Sequence, residues 1–156
     1  MLIDKSQDSA YQQLDSMETP KGILTAWRCL QSDNPEWDAF LTSAPLSHFY
    51  QTSMWAQVRA FDGWDQLIVF IKLNDSLVGG FQILTRSKPP LGKIGIVLKG
   101  PIVISDEPAT INFVINTLKK IARFNKIHAL IVQPPNKDAE MPHILRQSDF
   151  SANHLD

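Results

Sequence analysis

The sequence has a single cysteine, Cys29, in 156 residues. One thiol cannot build a disulfide framework or a multi-cysteine zinc site, and it fits a reducing compartment. Long apolar runs are missing too: none reaches the roughly 20 residues a membrane-spanning helix needs. The first residues lack the basic stretch and apolar core of a secretory signal, so the expected location is the cytoplasm. Charge of one sign is not in excess. Lys and Arg number 15 against 16 Asp and Glu, a net charge of −1, which excludes the strongly basic profile of a dedicated nucleic-acid binder. With 44% hydrophobic and 20% charged residues, the chain falls outside the disordered class. No Walker loop, HExxH or G-x-S-x-G motif occurs, no metal-ligand spacing stands out, and nothing around Cys29 suggests a nucleophile.

What is present reads as alternating strands and helices. Residues 1–20 are polar, with one basic residue against four acidic, and read as a flexible lead-in ending at Pro20. A strand follows over Ile23–Leu30. Asp33 or Asn34 then caps a helix with Pro35 at its first position and Trp37, Phe40 and Leu41 on one face. A second short helix spans Ser53–Ala60, capped by Thr52 or Ser53, and ends before the turn Asp62-Gly63. Leu67–Ile71 is a strand buried on both faces. It turns at Asn74–Ser76 into a partner strand, Leu77–Thr85, where Gly79-Gly80 signals a bulge or a close backbone approach. Lys93–Leu98 is a third strand of this group. The longest helix is Pro108–Phe124, capped by Ser105 or Asp106, with Ile111, Val114, Ile115, Leu118 and Ile121 in one stripe. Ile127–Val132 reads as another buried strand, and a last helix covers Ala139–Gln147. The order predicts an α/β layered fold with a mixed, mostly antiparallel central sheet flanked by helices. Charge is uneven along it: residues 86–126 hold eight Lys or Arg and two Asp or Glu, net +6, against −7 elsewhere. Such a run is either the solvated side of a helix with its loops or a face that meets phosphates.

The segment Phe49-Tyr50-Gln51-Thr52-Ser53-Met54-Trp55-Ala56-Gln57-Val58-Arg59, followed by Gly63-Trp64, resembles a conserved stretch of the Fem family, the peptidoglycan bridge-forming aminoacyltransferases. Val78-Gly79-Gly80, Lys99-Gly100-Pro101-Ile102 and Leu130-Ile131-Val132-Gln133-Pro134 continue the likeness in order, so that it spans roughly residues 48–135. The element order itself is similar to the front half of a GNAT-type acyltransferase fold. The resemblance implies transfer of an amino acid from aminoacyl-tRNA to an amine of a peptidoglycan precursor, either lipid II or a nucleotide-linked muropeptide, with peripheral association at the inner face of the membrane. This is ester aminolysis without a covalent enzyme intermediate, which rests on positioning and on handling the amine proton.

The same resemblance assigns candidate substrate-binding residues and leaves the catalytic residues unknown. Arg59 stands where the family places a cation against the acceptor's phosphates, a task suited to a bidentate guanidinium; the helix dipole alone would also favour an Arg there. Gln133 falls where a carboxylate touches the acceptor, and an amide at that position cannot act as a base. His128 aligns with an aromatic, substrate-facing position, although a lone His on a strand is commonly a packed core residue. Lys99 in the Lys-Gly-Pro turn could reach a phosphate, with Gly100 supplying a positive φ and Pro101 a fixed one. Gln51 serves either a helix-entry hydrogen bond or the substrate. The two tryptophans, Trp55 and Trp64, are expected to anchor the core. The coenzyme A loop of GNAT enzymes, Gln/Arg-x-x-Gly-x-Gly/Ala before a helix, is missing; Ser105-Asp106-Glu107-Pro108 would repel a pyrophosphate. No cofactor is therefore expected. Residues 21–156 are expected to form the first of two GNAT-like halves of a longer protein. The alternatives are a noncatalytic GNAT-like interaction module and a small acyltransferase with another donor.

Overall fold

A computed structural model describes residues 10–152. The polar stretch read as a lead-in is a strand over most of its described part: β1, Tyr11–Thr19, pairs antiparallel with β2, Gly22–Cys29. Residues 1–9 of that lead-in lie outside the described residues. Two features hid β1. It is the sheet's edge, where half of each residue faces solvent and charges such as Asp15 and Glu18 blunt the open side. The register also shifts between Gln13 and Asp15, which destroys period-two alternation and lets neighbouring residues face one way. Leu14 joins the main core, and Asp15 beside it reaches Lys120 at 2.6 Å. That hydrogen bond holds the Asp15 carboxyl below its ordinary range. A depressed folded-state value stabilises above the unfolded value near 4 and is lost as pH falls through the folded one. Asp15→Asn is therefore expected to cost under about 1 kcal/mol at neutral pH, and to make acid denaturation slightly less steep, as read by denaturant melts across the acid range.

The remaining elements follow the expected order: α1 (Pro35–Ser43), α2 (Ser53–Ala60), β3 (Asp65–Leu73), β4 (Ser76–Lys88), β5 (Gly92–Leu98), β6 (Ile102–Val103), α3 (Pro108–Phe124), β7 (Ile127–Gln133) and α4 (Met141–Gln147). The two-residue β6 was not foreseen; it pairs with β4 at Gly79 and Gly80. The sheet runs β1-β2-β3-β4-β5-β7. All neighbours are antiparallel except β5 and β7, which α3 joins as a parallel pair. The architecture is the mixed, mostly antiparallel sheet flanked by helices that was expected.

Local chemistry explains the helix starts. The Asn34 side chain accepts the N–H of Trp37 at 3.1 Å, and Thr52 Oγ1 accepts that of Trp55 at 3.2 Å, each satisfying an orphan donor of a first turn. Asn34 also donates to the buried Cys29 Sγ. Neither proposed cap of α3 holds: Glu107 occupies the N-cap without a side-chain bond, while Ser105 Oγ accepts the N–H of Glu107. The last helix begins at Met141 because Asp138 Oδ1 accepts the N–H groups of Glu140 and Met141.

Helix α3 buries Phe113, Val114, Leu118 and Ile121 against one sheet face, on Leu24, Val69, Phe81, Ile83 and Val97. On the opposite face α1 sets Trp37, Phe40 and Leu41 on Ile68 and Phe70, with the Trp37 ring stacked on Phe70 at 5.8 Å. Helix α2 covers the neighbouring strip, where Ala56 meets Trp64 and Leu84. Leu67–Ile71 is buried throughout, as its unbroken apolar run predicts. Strand β7 is not: it is the other edge, and His128, Ala129, Ile131 and Gln133 are exposed.

Candidate functional site

Gln51 ends a 3-10 turn, Phe49–Gln51, just before α2. Its side chain is fully buried, with Oε1 accepting the Gln82 N–H at 2.8 Å and Nε2 donating to the Leu98 carbonyl at 2.5 Å. The β4–β5 ladder runs from Lys88↔Gly92 to Leu84↔Ile96. Two residues further the same register would bring Gln82 opposite Leu98. The Gln51 amide lies between them instead, a side chain replacing ladder hydrogen bonds where the strands part. Gln51 is therefore a structural wedge: of the two roles open to it, hydrogen bonding or substrate contact, its burial and internal bonds favour the first. It also explains Gly100, whose Cβ would come within 2.9 Å of the Gln51 amide carbon. The positive φ of that turn falls on Lys99, at 54°, not on the glycine.

Beyond the wedge, α2 covers one part of this sheet face and leaves the part at β7 open. Cross-strand neighbours share a face, so Arg86, Ile94 and Ala129 form one row, Leu84, Ile96 and Ile131 the next, and Leu98 and Gln133 a third. Helix α2 packs on the β4–β5 part of these rows and stops there. Ile131, 52% exposed, belongs to the open floor beside it.

Arg59 sits in the last turn of α2, where the helix dipole favours a cation. Its guanidinium lies 5.9 Å from the Trp55 ring centroid and 5.7 Å from that of Trp64. Arg86 approaches the same Trp64 ring at 5.9 Å. The two tryptophans do pack into the core of this layer, yet the indole N–H of each is buried with no hydrogen-bond partner among the described residues. Trp64 is only 9% exposed, so its unpaired donor is costly. The nearest acid, Asp62, holds Arg59 at 3.0 Å through a largely exposed ion pair, a weak competitor for a ligand anion. The cluster offers two guanidinium groups, which suit phosphate oxygens, while both indole N–H donors are enclosed.

The other candidates fall at two further places. Gly100 N–H donates to the Gln133 carbonyl at 3.1 Å, joining the ends of β5 and β7, and Lys99 Nζ donates to Asn136 Oδ1 at 2.5 Å. Together with His48 and Lys137, Lys99 lines a cavity of about 210 Å³ at this end. His128 stands five residues back along β7, about 16 Å at strand rise, against Gly92 at the other end of the pair. Lys99 and Gln133 are thus brought together, Arg59 lies at the far end of α2 from them, and His128 is separate from both. Sequence reasoning missed Arg86, whose one available signal was its place on the face of Leu84. It also missed His48 and Lys137, which only folding brings beside Lys99. Among the described residues, no group of three His, Cys, Asp or Glu could hold a metal ion.

Comparison with known proteins places this geometry. The chain is 26% identical to the Lipid II:glycine glycyltransferases of Staphylococcus aureus strains MRSA252 and USA300 over 102 residues, 65% of its length and 24% of theirs. It spans about a quarter of the length of these curated relatives. The crystal structure of FemX superimposes with a TM-score of 0.68 at 20% identity, over 88% of this chain and 32% of that one. A ribosomal-protein-alanine N-acetyltransferase from Brucella melitensis biovar Abortus 2308 gives a TM-score of 0.51 at 17% identity, over 77% and 83% of the two chains. These likenesses establish a GNAT-like fold. The FemAB family model matches residues 30–147, and the chain belongs to the FemAB family.

Proposed function

We propose that this chain is the N-terminal, acceptor-binding domain of a cytoplasmic aminoacyltransferase that extends peptidoglycan precursors from aminoacyl-tRNA. The observation that carries the reading is the Arg59–Trp64–Arg86 cluster, whose two guanidinium groups suit the diphosphate of lipid II or a nucleotide-linked muropeptide. FemAB membership and the glycyltransferase relatives supply the reaction class. The stem peptide would run from the cluster across the open floor of Ala129 and Ile131 toward Gln133 and Lys99. There its amine attacks the ester carbonyl of the aminoacyl donor. A C–N bond forms, the C–O bond to the tRNA ribose breaks, and the proton shed by the amine ends on the released ribose hydroxyl. Gln133 can orient a group by hydrogen bonding but cannot take up that proton, so the domain's contribution is positioning. At the start of α3, Asp106 and Glu107 oppose the anionic tether of coenzyme A.

Titration of the purified chain with nucleotide-linked muropeptide tests this. Binding is expected, and Arg59→Ala should weaken it at least tenfold, given the roughly 1.5–3 kcal/mol of a hydrogen bond to a charged group. Arg59→Lys should recover only part of the loss, because an ammonium is a point charge and not a fork. Absence of binding, or equal binding by Arg59→Ala, would refute the assignment.

A further inference from the structure

We infer that the β4–β5 hairpin tip and the α3–β7 turn together form a docking face for an anionic lipid bilayer. The two segments are adjacent: Lys93 pairs with Ile127, and Pro89, Gly92 and Lys93 face Asn125, Lys126 and His128 across one shallow depression of about 410 Å³. Each segment presents a large apolar side chain to solvent at its outermost point, Leu91 at 74% exposure and Phe124 at 77%. Two such side chains on neighbouring turns give this end of the sheet apolar surface that a partner would cover.

Charge identifies the partner. Residues 76–105 and 108–137 contain no Asp or Glu and hold nine Lys or Arg. Lys119 and Lys120, further back on α3, are paired with Asp149 and Asp15. Lys88, Lys93, Arg123 and Lys126, which flank Leu91 and Phe124, take part in no ion pair among the described residues. Apolar tips inside a ring of free cations match the interface of a bilayer with acidic headgroups, where stable attachment needs both signals. Another exposed apolar row, Met54 and Val58 on α2 with Phe61 just after it, lacks such a ring and has Asp62 beside it. An RNA backbone would satisfy the cations and Phe124 would give a base a stacking surface, but the aliphatic Leu91 gains nothing from RNA and would be buried by a bilayer. Arg86 lies two residues from Lys88 on the same strand, so the Arg59–Trp64–Arg86 cluster borders this face. A diphosphate at the bilayer surface would meet it there, which favours a lipid-linked acceptor; that last step alone rests on the function proposed above.

Co-sedimentation with vesicles of phosphatidylglycerol and phosphatidylcholine in equal parts tests the surface. The chain should bind these vesicles and not pure phosphatidylcholine, less tightly as salt rises. Leu91→Glu should reduce binding at least tenfold, and Lys88→Gln or Lys126→Gln about fivefold each, the equivalent of about 1 kcal/mol per surface cation. All three positions are exposed, so unchanged melting curves confirm folding. Leu91→Glu should leave binding of the soluble nucleotide-linked muropeptide intact, which separates failure of the docking face from failure of the acceptor site. Lack of vesicle binding at low salt, indifference to Leu91→Glu, or tRNA binding through Lys88 and Lys126 in place of vesicle binding would overturn the inference.

Discussion

Gly80→Ala is expected to cost about 3–5 kcal/mol, a large part of a domain's stability, and to leave most of the expressed chain insoluble. The backbone at Gly80 has φ 154°, a region L side chains rarely adopt. A Cβ there would stand 2.3 Å from the Val69 carbonyl oxygen and 2.8 Å from a ring carbon of Trp37. Neither neighbour can give way. Val69 belongs to the central strand β3, and the Trp37 ring is fully buried, stacked on Phe40 and Phe70, with its N–H donating to the Gln51 carbonyl. Backbone strain and overpacking therefore add. Gly63→Ala is the control: its φ is 81°, but nothing lies within 4 Å of the added atom, so only the strain remains, about 1 kcal/mol. Denaturant melts of the two variants should differ by at least about 2 kcal/mol from those two contributions. Equal midpoints would show that the close approach at Gly80 does not matter.

Gln51→Leu should be nearly as damaging, at about 3–4 kcal/mol, although it replaces a polar side chain by an apolar one in a buried site. Leucine fills much of the volume but leaves the Gln82 N–H and the Leu98 carbonyl both unpaired and dry, at about 1–3 kcal/mol each. Gln51→Glu should be worse, because its second oxygen would face the Leu98 carbonyl and its charge would lie in the interior. Only an amide has a donor on one side and an acceptor on the other. The readout is a pair of measurements, equilibrium unfolding and muropeptide binding. Loss of both together is expected. Unchanged stability with binding abolished would return Gln51 to the role of a ligand contact.

These two residues mark where the sequence was readable and where it was not. Helix α3 announces itself, since 17 residues with one apolar stripe and a proline at the start can be little else. The run Leu67–Ile71 is equally plain, and so are the caps at Asn34 and Thr52, because each depends on a few adjacent residues. The Gly79-Gly80 signal was legible as either a bulge or a close approach, and both are found: the register shifts between Ile71 and Lys72, and Gly80 lies against Trp37. Strand β1 was illegible because its hydrogen bonds hold it, not its side chains. Strand β7 was misread as buried because Ile-His-Ala-Leu-Ile-Val looks the same at a sheet's centre and at an edge whose outer face is left open. Within the site, Arg59 was found through a motif around α2, whereas Arg86 needed the fold to carry it to Trp64. The role of Gln51 depends on the β4–β5 register ending at Leu84, which no local pattern encodes.

The parallel pairing of β5 with β7 carries a consequence for how the domain opens. Among the described residues, β7 is tied to the sheet along one side only, to a strand that precedes it by the whole length of α3. Contacts of such separation are made late in folding, and an edge strand is among the first to detach from a folded sheet. The amides of β7 should therefore exchange with solvent through sub-global openings while those of β3 wait for global unfolding. Since Ala129, Ile131 and Gln133 lie on the open part of the sheet face, a strand that opens early is one that a bound acceptor would hold shut.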